Sequence, residues 1–269
     1  MGMWFSWPLV FVTLRSILRD RVLYAVLGVG ALLILLVPVF SSFSMRQVQE
    51  SAVGLAFTAL SLIMLVLATQ LGASSVFRDV DRRYTHSVLS LPLTRGQYIV
   101  ARFAGLAFFL VACLLFLALC SAVVIAVAAS TYPGAQPIVW SVLVYAFAGV
   151  AIQSVLLAAI ALLFSAISTS FSLPFFCTIA VYLAGSASQE VYDYLTGSLG
   201  DKLSWIARAL SSLVYYLCPN FSSFDFHVHA AYGLPIEIGQ FLMTIFYGLS
   251  YTLVVVWLAV VIFNCRELP

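Results

Sequence analysis

The chain has 269 residues, of which 64% are hydrophobic and only 8% are charged, with a formal net charge of +2. Charged residues make up roughly a quarter of ordinary soluble domains. No soluble fold could bury so much apolar surface, so the composition excludes a soluble globular protein and indicates one that resides in a membrane.

The first segment, residues 1–21, mixes aromatic and aliphatic side chains with arginines. This pattern predicts an amphipathic helix along the membrane surface, with its tryptophans at the depth of the lipid headgroups. The apolar run that follows is about 20 residues long, which exceeds the apolar core of a signal peptide. No Ala-x-Ala cleavage signal comes after Phe40. We therefore predict that this run is retained as a membrane span.

Six apolar runs are candidates to cross the membrane as helices. A helix needs about 20 apolar residues to cross about 30 Å of hydrocarbon. Apolar side chains occupy successive positions in these runs rather than alternating, which is typical of helices in lipid and not of a transmembrane barrel. The sequence thus predicts a single all-α, polytopic transmembrane domain. Its spans lie near residues 22–43, 52–75, 103–129, 138–165, 172–188 and 236–263.

The positive charges predict the orientation of these spans. If the N-terminus is inside and all six runs cross, nine of the twelve Lys and Arg residues fall on the inner side. Because Lys and Arg are enriched in cytoplasmic loops, we expect both termini and the loop at residues 76–102 to be cytoplasmic. The long loop at residues 189–235 is then extracytoplasmic.

The extracytoplasmic loop contains a second amphipathic pattern. Apolar residues recur at helical spacing from Leu203 to Leu217, and Pro219 would end such a helix. Two interpretations remain open for this helix: a lid that packs over the bundle, and an outer gate.

The sequence lacks the patterns that catalytic sites require. A nucleotide-binding P-loop needs a lysine before a serine or threonine, but the only lysine, Lys202, precedes Leu203. There is no His-Glu-x-x-His zinc helix and no Gly-x-Ser-x-Gly elbow. Asp225, His227 and His229 could supply metal ligands, but their spacing matches no recognised site. We expect no enzymatic activity, no metal site and no cofactor in this chain.

The predicted spans are almost free of charge but contain a few polar side chains. An ion-coupled transporter would place an acidic residue near the middle of a span, so its absence counts against self-powered transport. The polar side chains either form hydrogen bonds between helices, at about 0.6 kcal/mol each, or line a substrate path. They are Thr69, Gln70, Gln153, Ser154, Thr178 and Tyr182, of which Gln70, Gln153 and Tyr182 are the candidates for a path.

Charged residues are concentrated in the loop between the second and third spans, from Phe77 to Arg102. This loop must lie in water, where a soluble partner can bind it. It resembles the signature of the type 2 ABC permease family, in which an acidic pair precedes a threonine, an apolar stretch, a proline and an arginine. The segment Leu217–Phe221 is also similar to family members. The matching residues of the loop are Asp79, Asp81, Thr85, Leu89, Leu91, Pro92, Thr94 and Arg95.

The resemblance implies one half of an exporter, paired with a second copy of the chain or with a related permease. Cytoplasmic ATPase subunits, which bind ATP and Mg²⁺, would dock on the loop and drive transport. The resemblance also implies a multi-pass protein of a prokaryotic inner membrane, an extracytoplasmic accessory protein as a further candidate partner, and no nucleic acid. The residues implied at the ATPase interface are Asp79, Asp81, Arg82, Arg83, Thr85, Pro92 and Arg95.

Two other functions stay open at this point. A membrane scaffold or assembly factor could anchor a cytoplasmic partner through the same loop, and a stand-alone channel could conduct without ATP. Neither explains why the loop resembles the permease signature. The sequence does not identify the cargo, although the apolar spans suit a lipid-like or amphipathic molecule better than a sugar.

Overall fold

The structure is a computed structural model that describes residues 7–44, 47–81, 94–131, 138–168, 170–196, 212, 215–216 and 218–265. Within these residues the regular structure is entirely helical, in agreement with the predicted all-α class. The long helices satisfy their own backbone hydrogen bonds, as a chain in lipid must. The helical elements, in chain order, are α1 (Trp7–Ile17), α2 (Arg21–Ser42), α3 (Val48–Asp81), α4 (Arg95–Thr131), α5 (Trp140–Ile167), α6 (Ser172–Thr196), a 3₁₀ turn (Ser222–Phe224), α7 (His227–Tyr232) and α8 (Ile238–Cys265).

Five helices are long and apolar enough to cross a membrane, namely α2, α3 as far as Phe77, α4, α5 and α8. They confirm the polytopic membrane class. The fifth predicted span corresponds to α6, which is not among these five but has 25 residues. At 1.5 Å per residue it is about 37 Å long, so its length is sufficient for a crossing.

α5 is the central helix of the bundle. Of its most apolar stretch 67% is buried, compared with 22% for α2 and 28% for α8. α3 runs parallel to α5, because Phe57 contacts Phe147 with ring centroids 4.8 Å apart while Ser165 reaches Ala73 further along both helices. α2 and α8 lie at the periphery, and their exposed apolar faces are suited to contact lipid or another chain.

The two ends of the bundle differ in character. At one end, which we name the charged end, α3 stops at Asp81 and α4 begins at Arg95. The last turns of α8 lie here too, since the rings of Tyr98 and Phe263 are 5.7 Å apart. α1 also packs at this end, against Gly105 of α4. At the opposite end, which we name the far end, α6 is connected to α8.

The loop predicted over residues 76–102 is largely helical where it is described. α3 continues to Asp81 and α4 already starts at Arg95, which leaves residues 82–94 between them. α4 starts there because the Gln97 amide N–H donates to the Thr94 hydroxyl at 3.3 Å, and the Thr94 N–H donates to the Gln97 side chain at 3.1 Å. This reciprocal capping box satisfies two N–H groups at the helix start.

Candidate functional site

The charged end carries the residues predicted to meet a soluble partner. Asp79 and Asp81 belong to the last turn of α3, and Arg95 is the first residue of α4. The other predicted interface residues, Arg82, Arg83, Thr85 and Pro92, lie outside the described residues, as do the side chains of Asp79 and Asp81. The structure thus places both borders of the predicted interface at the ends of long helices.

A buried arginine connects α1 to α4 beside this end. Arg102 is only 8% exposed, and its guanidinium donates to the Thr13 hydroxyl at 3.4 Å and to the Tyr98 hydroxyl at 3.5 Å. The same guanidinium lies 5.8 Å from the centre of the Tyr98 ring, within the range of a cation–π interaction. A Cβ at Gly105 would meet Thr13 at 2.8 Å, so glycine permits this close approach. The hydrogen bond and the close approach therefore hold α1 against α4.

A serine connects α3 to α5 near the charged end. The Ser165 hydroxyl donates to the Ala73 carbonyl oxygen at 2.8 Å and accepts from the Phe77 N–H at 3.3 Å. One turn nearer the far end, a Cβ at Gly72 would overlap Ala161 of α5. The end of α3 that carries Asp79 and Asp81 is therefore joined directly to the central helix.

At the far end, residues 218–226 form what we name the re-entrant segment, which inserts between helices. Phe221 and Phe224 are fully buried. Glycines of three different helices face the segment. A Cβ at Gly149 of α5 would overlap the Phe224 carbonyl oxygen, and a Cβ at Gly185 of α6 would overlap the Pro219 carbonyl oxygen. A Cβ at Gly248 of α8 would lie 2.8 Å from the Phe224 ring. Each glycine lies 9 to 11 residues from the far end of its helix. The segment therefore dips about 15 Å along the helices, as buried non-helical backbone can in a membrane protein.

Polar contacts hold the re-entrant segment in place. The Asn220 side chain donates to Gln189 of α6 at 2.8 Å, and its backbone N–H donates to the Tyr247 hydroxyl of α8 at 3.0 Å. The Ser222 hydroxyl donates to the Asn220 side chain at 2.7 Å. The segment therefore bridges α6 and α8.

A cavity of about 360 Å³ lies on one side of the re-entrant segment, and we name it the acidic cavity. Gln153 and Tyr182 both line it, so the structure brings together two of the three residues predicted for a substrate path. Glu190 and Asp225 supply carboxylates. Gln70 does not line the acidic cavity, because it lies about 13 Å further along α3 than the lining residue Ser61.

A larger cavity of about 850 Å³ lies on the other side of the re-entrant segment, and we name it the tyrosine groove. The prediction from sequence missed it. The signal was present, because Gln240, Thr244, Tyr247 and Tyr251 recur at spacings of four, three and four residues along α8. Such spacing places them on one helix face. Across the groove lie Gln189, Tyr215 and Asn220.

Most of the other polar groups in the spans do not form the predicted bonds between helices. The hydroxyls of Thr69, Ser154 and Thr178 donate to carbonyl oxygens of their own helices at 2.7 to 2.9 Å. A threonine or serine in a helix reaches the carbonyl three or four residues earlier without any partner helix. Gln153 of α5 and Tyr182 of α6 differ, because they line the acidic cavity together.

The residues considered as metal ligands are not gathered into a site. His227 is paired with Asp225, whose carboxylate oxygen lies 2.5 Å from Nδ1. Within the part of the chain that the structure describes, no three His, Cys, Asp or Glu side chains are grouped so that they could hold a metal ion.

These features define a class of protein: a polytopic helical membrane protein with two large cavities at the far end and, at the charged end, a charged segment bordered by two long helices. A family model described as ABC-2 family transporter protein matches residues 17–226, from the end of α1 to the end of the re-entrant segment. The chain belongs to this family, and it is the membrane permease component of an ABC transporter. A search of curated proteins finds no match.

Proposed function

We propose that the chain forms the substrate path of an exporter as a dimer and is driven by separate cytoplasmic ATPase subunits that bind ATP and Mg²⁺. The observation that carries this proposal is the charged segment from Phe77 to Arg102, which resembles the signature of the type 2 ABC permease family and is bordered by two long helices. Its arginines favour a cytoplasmic location for the charged end, in a multi-pass protein of a prokaryotic inner membrane.

The lengths of α3 and α4, the helices on either side of the charged segment, support a role in transmitting movement into the membrane. α3 has 34 residues and α4 has 37. At 1.5 Å per residue they are about 51 and 55 Å long, well beyond the roughly 30 Å of hydrocarbon. Both helices therefore extend into the headgroup region or beyond it. A partner that moves the loop between them would therefore move both helices as rigid bodies.

Charge supports the kind of contact that the ATPase would make. Asp79, Asp81, Arg82 and Arg83 offer both signs within five residues, which suits ion pairs at the rim of a protein interface. Exposed pairs contribute little affinity, about 0.2 to 1 kcal/mol each, but they fix orientation. The connections through Ser165 and Arg102 would then transmit the movement to α5 and α1.

At the far end, the re-entrant segment would close the path between cycles and move when the helices rock. Gln153 and Tyr182 would lie on the path, and Gln70 would lie deeper along α3. Export is the direction that the resemblance to the type 2 ABC permease family implies.

The test is co-purification from native membranes. The wild-type chain, an Asp81→Lys and Arg83→Glu double variant, and a Glu237→Lys control at the far end are solubilised, and the eluates are assayed for ATPase activity. We expect an ATPase with the wild type and the control but not with the double variant. A partner that lacks ATPase activity, or conductance without ATP, would overturn the proposal in favour of a scaffold or a channel.

A further inference from the structure

We infer that the tyrosine groove binds the neutral, hydroxyl-rich head of an amphiphile, of the kind found in a glycosylated lipid. Taking this amphiphile as the exported cargo rests on the proposed function, whereas the binding itself requires no ATPase.

One wall of the tyrosine groove is a continuous row of polar side chains on α8. Gln240, Thr244, Tyr247 and Tyr251 span 11 residues of α8, which corresponds to about 16 Å along the helix axis. The groove volume of about 850 Å³ lies within the range of roughly 300 to 1,000 Å³ that is usual for small-molecule sites. It is too large for an ion and suits a group of the size of a disaccharide.

The charge of the groove favours a neutral head. Among the described residues that line it, Glu237 is the one with a formal charge, and it is exposed at the rim. A phosphate head would be expected to meet arginine or lysine, which the described lining does not contain. The acidic cavity on the other side of the re-entrant segment differs, because Glu190 and Asp225 would favour a cation there.

The side chains of the groove match the chemistry of a sugar. Phenol and amide groups can both donate and accept hydrogen bonds, as the hydroxyls of a sugar require. Tyrosine adds an apolar ring face next to its hydroxyl. The rings are already ordered, with Tyr215 stacked on Tyr192 at 4.1 Å between centroids and Tyr247 lying 5.8 Å from Tyr251. Little side-chain entropy would therefore be lost on binding.

The border of the groove favours an amphiphile over a free sugar. Met243 lines the groove and is 76% exposed, and Phe246 on the same helix is 75% exposed. Leu242 and Leu249 continue this exposed apolar surface. An acyl chain can lie along it while the head occupies the tyrosine groove.

The experiment measures lipid binding by native mass spectrometry of the purified full chain without any ATPase. The probes are diglucosyl diacylglycerol, phosphatidylglycerol and a cationic trimethylammonium lipid with identical acyl chains, and maltose as the free sugar. The variants are a Tyr251→Leu and Gln240→Leu double change, the gentler single change Tyr251→Phe in case the double variant does not fold, and Tyr24→Leu as a control outside the groove.

We expect the glycolipid to bind at least about tenfold more tightly than the other two lipids, and the double variant to lose about tenfold, which corresponds to the removal of two hydrogen-bonding groups. Tyr251→Phe should lose about threefold, and Tyr24→Leu should bind as the wild type does. Maltose that binds as tightly as the glycolipid would overturn the choice of an amphiphile, because the acyl chains would then contribute nothing to binding.

Equal binding of the three lipids, preference for a charged lipid, or unchanged glycolipid binding in both groove variants would overturn the inference. The two proposals fail separately. Glycolipid binding without a co-purifying ATPase would contradict only the transport proposal, and an ATPase without glycolipid binding would contradict only the inference about the groove.

Discussion

Replacing Gly185 with alanine tests whether the re-entrant segment is wedged between the helices. A Cβ at residue 185 would overlap the Pro219 carbonyl oxygen and would lie 2.7 Å from Cδ2 of Phe221. Because the oxygen belongs to the backbone, no rotation of a side chain can remove the overlap. The segment would have to shift by about 1 Å to reach an ordinary contact distance of roughly 3.5 Å.

The cost of this change follows from three contributions. Overpacking against backbone costs about 3 kcal/mol, at the upper end of the usual range. The shift also weakens the hydrogen bond from the Phe221 N–H to the Gly185 carbonyl, which is 3.4 Å long, at a cost of about 1 kcal/mol. The higher helix propensity of alanine offsets about 1 kcal/mol. We expect a net destabilisation of about 3 kcal/mol.

Thermal unfolding of the detergent-solubilised chain measures the effect. A loss of about 3 kcal/mol should lower the midpoint by roughly 6 to 12 °C in a chain of this size. Gly54→Ala in α3 is the matched control, because nothing lies within 4 Å of its added Cβ. Its midpoint should stay the same or rise slightly. Equal midpoints for Gly185→Ala and Gly54→Ala would refute the wedged arrangement of the segment.

Three further predictions concern single side chains. Arg102→Leu removes the hydrogen bond from α4 to α1, worth about 2 kcal/mol, so trypsin should cleave after Arg19 several times faster; an unchanged rate would contradict this role. Ser165→Ala removes two bonds between α3 and α5 and should cost about 1 kcal/mol, while Ser130→Ala, which loses only a bond within its own exposed helix end, should melt as the wild type does. Burial raises the pKa of the Cys218 thiol, so its alkylation rate should rise with pH about a midpoint above that of a small-molecule thiol; a midpoint equal to that of the small-molecule thiol would contradict the assignment.

Several features followed directly from the sequence. Apolar runs of sufficient length identify membrane helices because lipid offers no hydrogen bonds to an exposed backbone. The charged segment between the second and third spans must be hydrated, and its order of acidic, threonine, proline and arginine residues pointed to the family that the comparison identified. These conclusions depend on neighbours in the chain and therefore need no tertiary structure.

Other features were readable but were missed. The capping box of Thr94 and Gln97 marks the start of α4 inside a stretch that was predicted to be loop. The polar stripe from Gln240 to Tyr251 marks one wall of the tyrosine groove, although periodicity alone could not show which elements form the opposite wall. Local sequence signals indicate where a helix starts or which of its faces is polar, but they do not indicate which other elements that helix contacts.

Only the tertiary structure decided how the far end is built. Gly149, Gly185 and Gly248 belong to three different helices, and nothing in their local sequence relates them to one another or to the re-entrant segment. Glycine is common in membrane helices, and lipid is as apolar as the interior of the bundle, so hydropathy does not distinguish a face that meets lipid from one that meets protein. The rotation of each helix is fixed by close packing with its neighbours, and that packing determines that these three glycines admit one segment and that the acidic cavity and the tyrosine groove lie on either side of it.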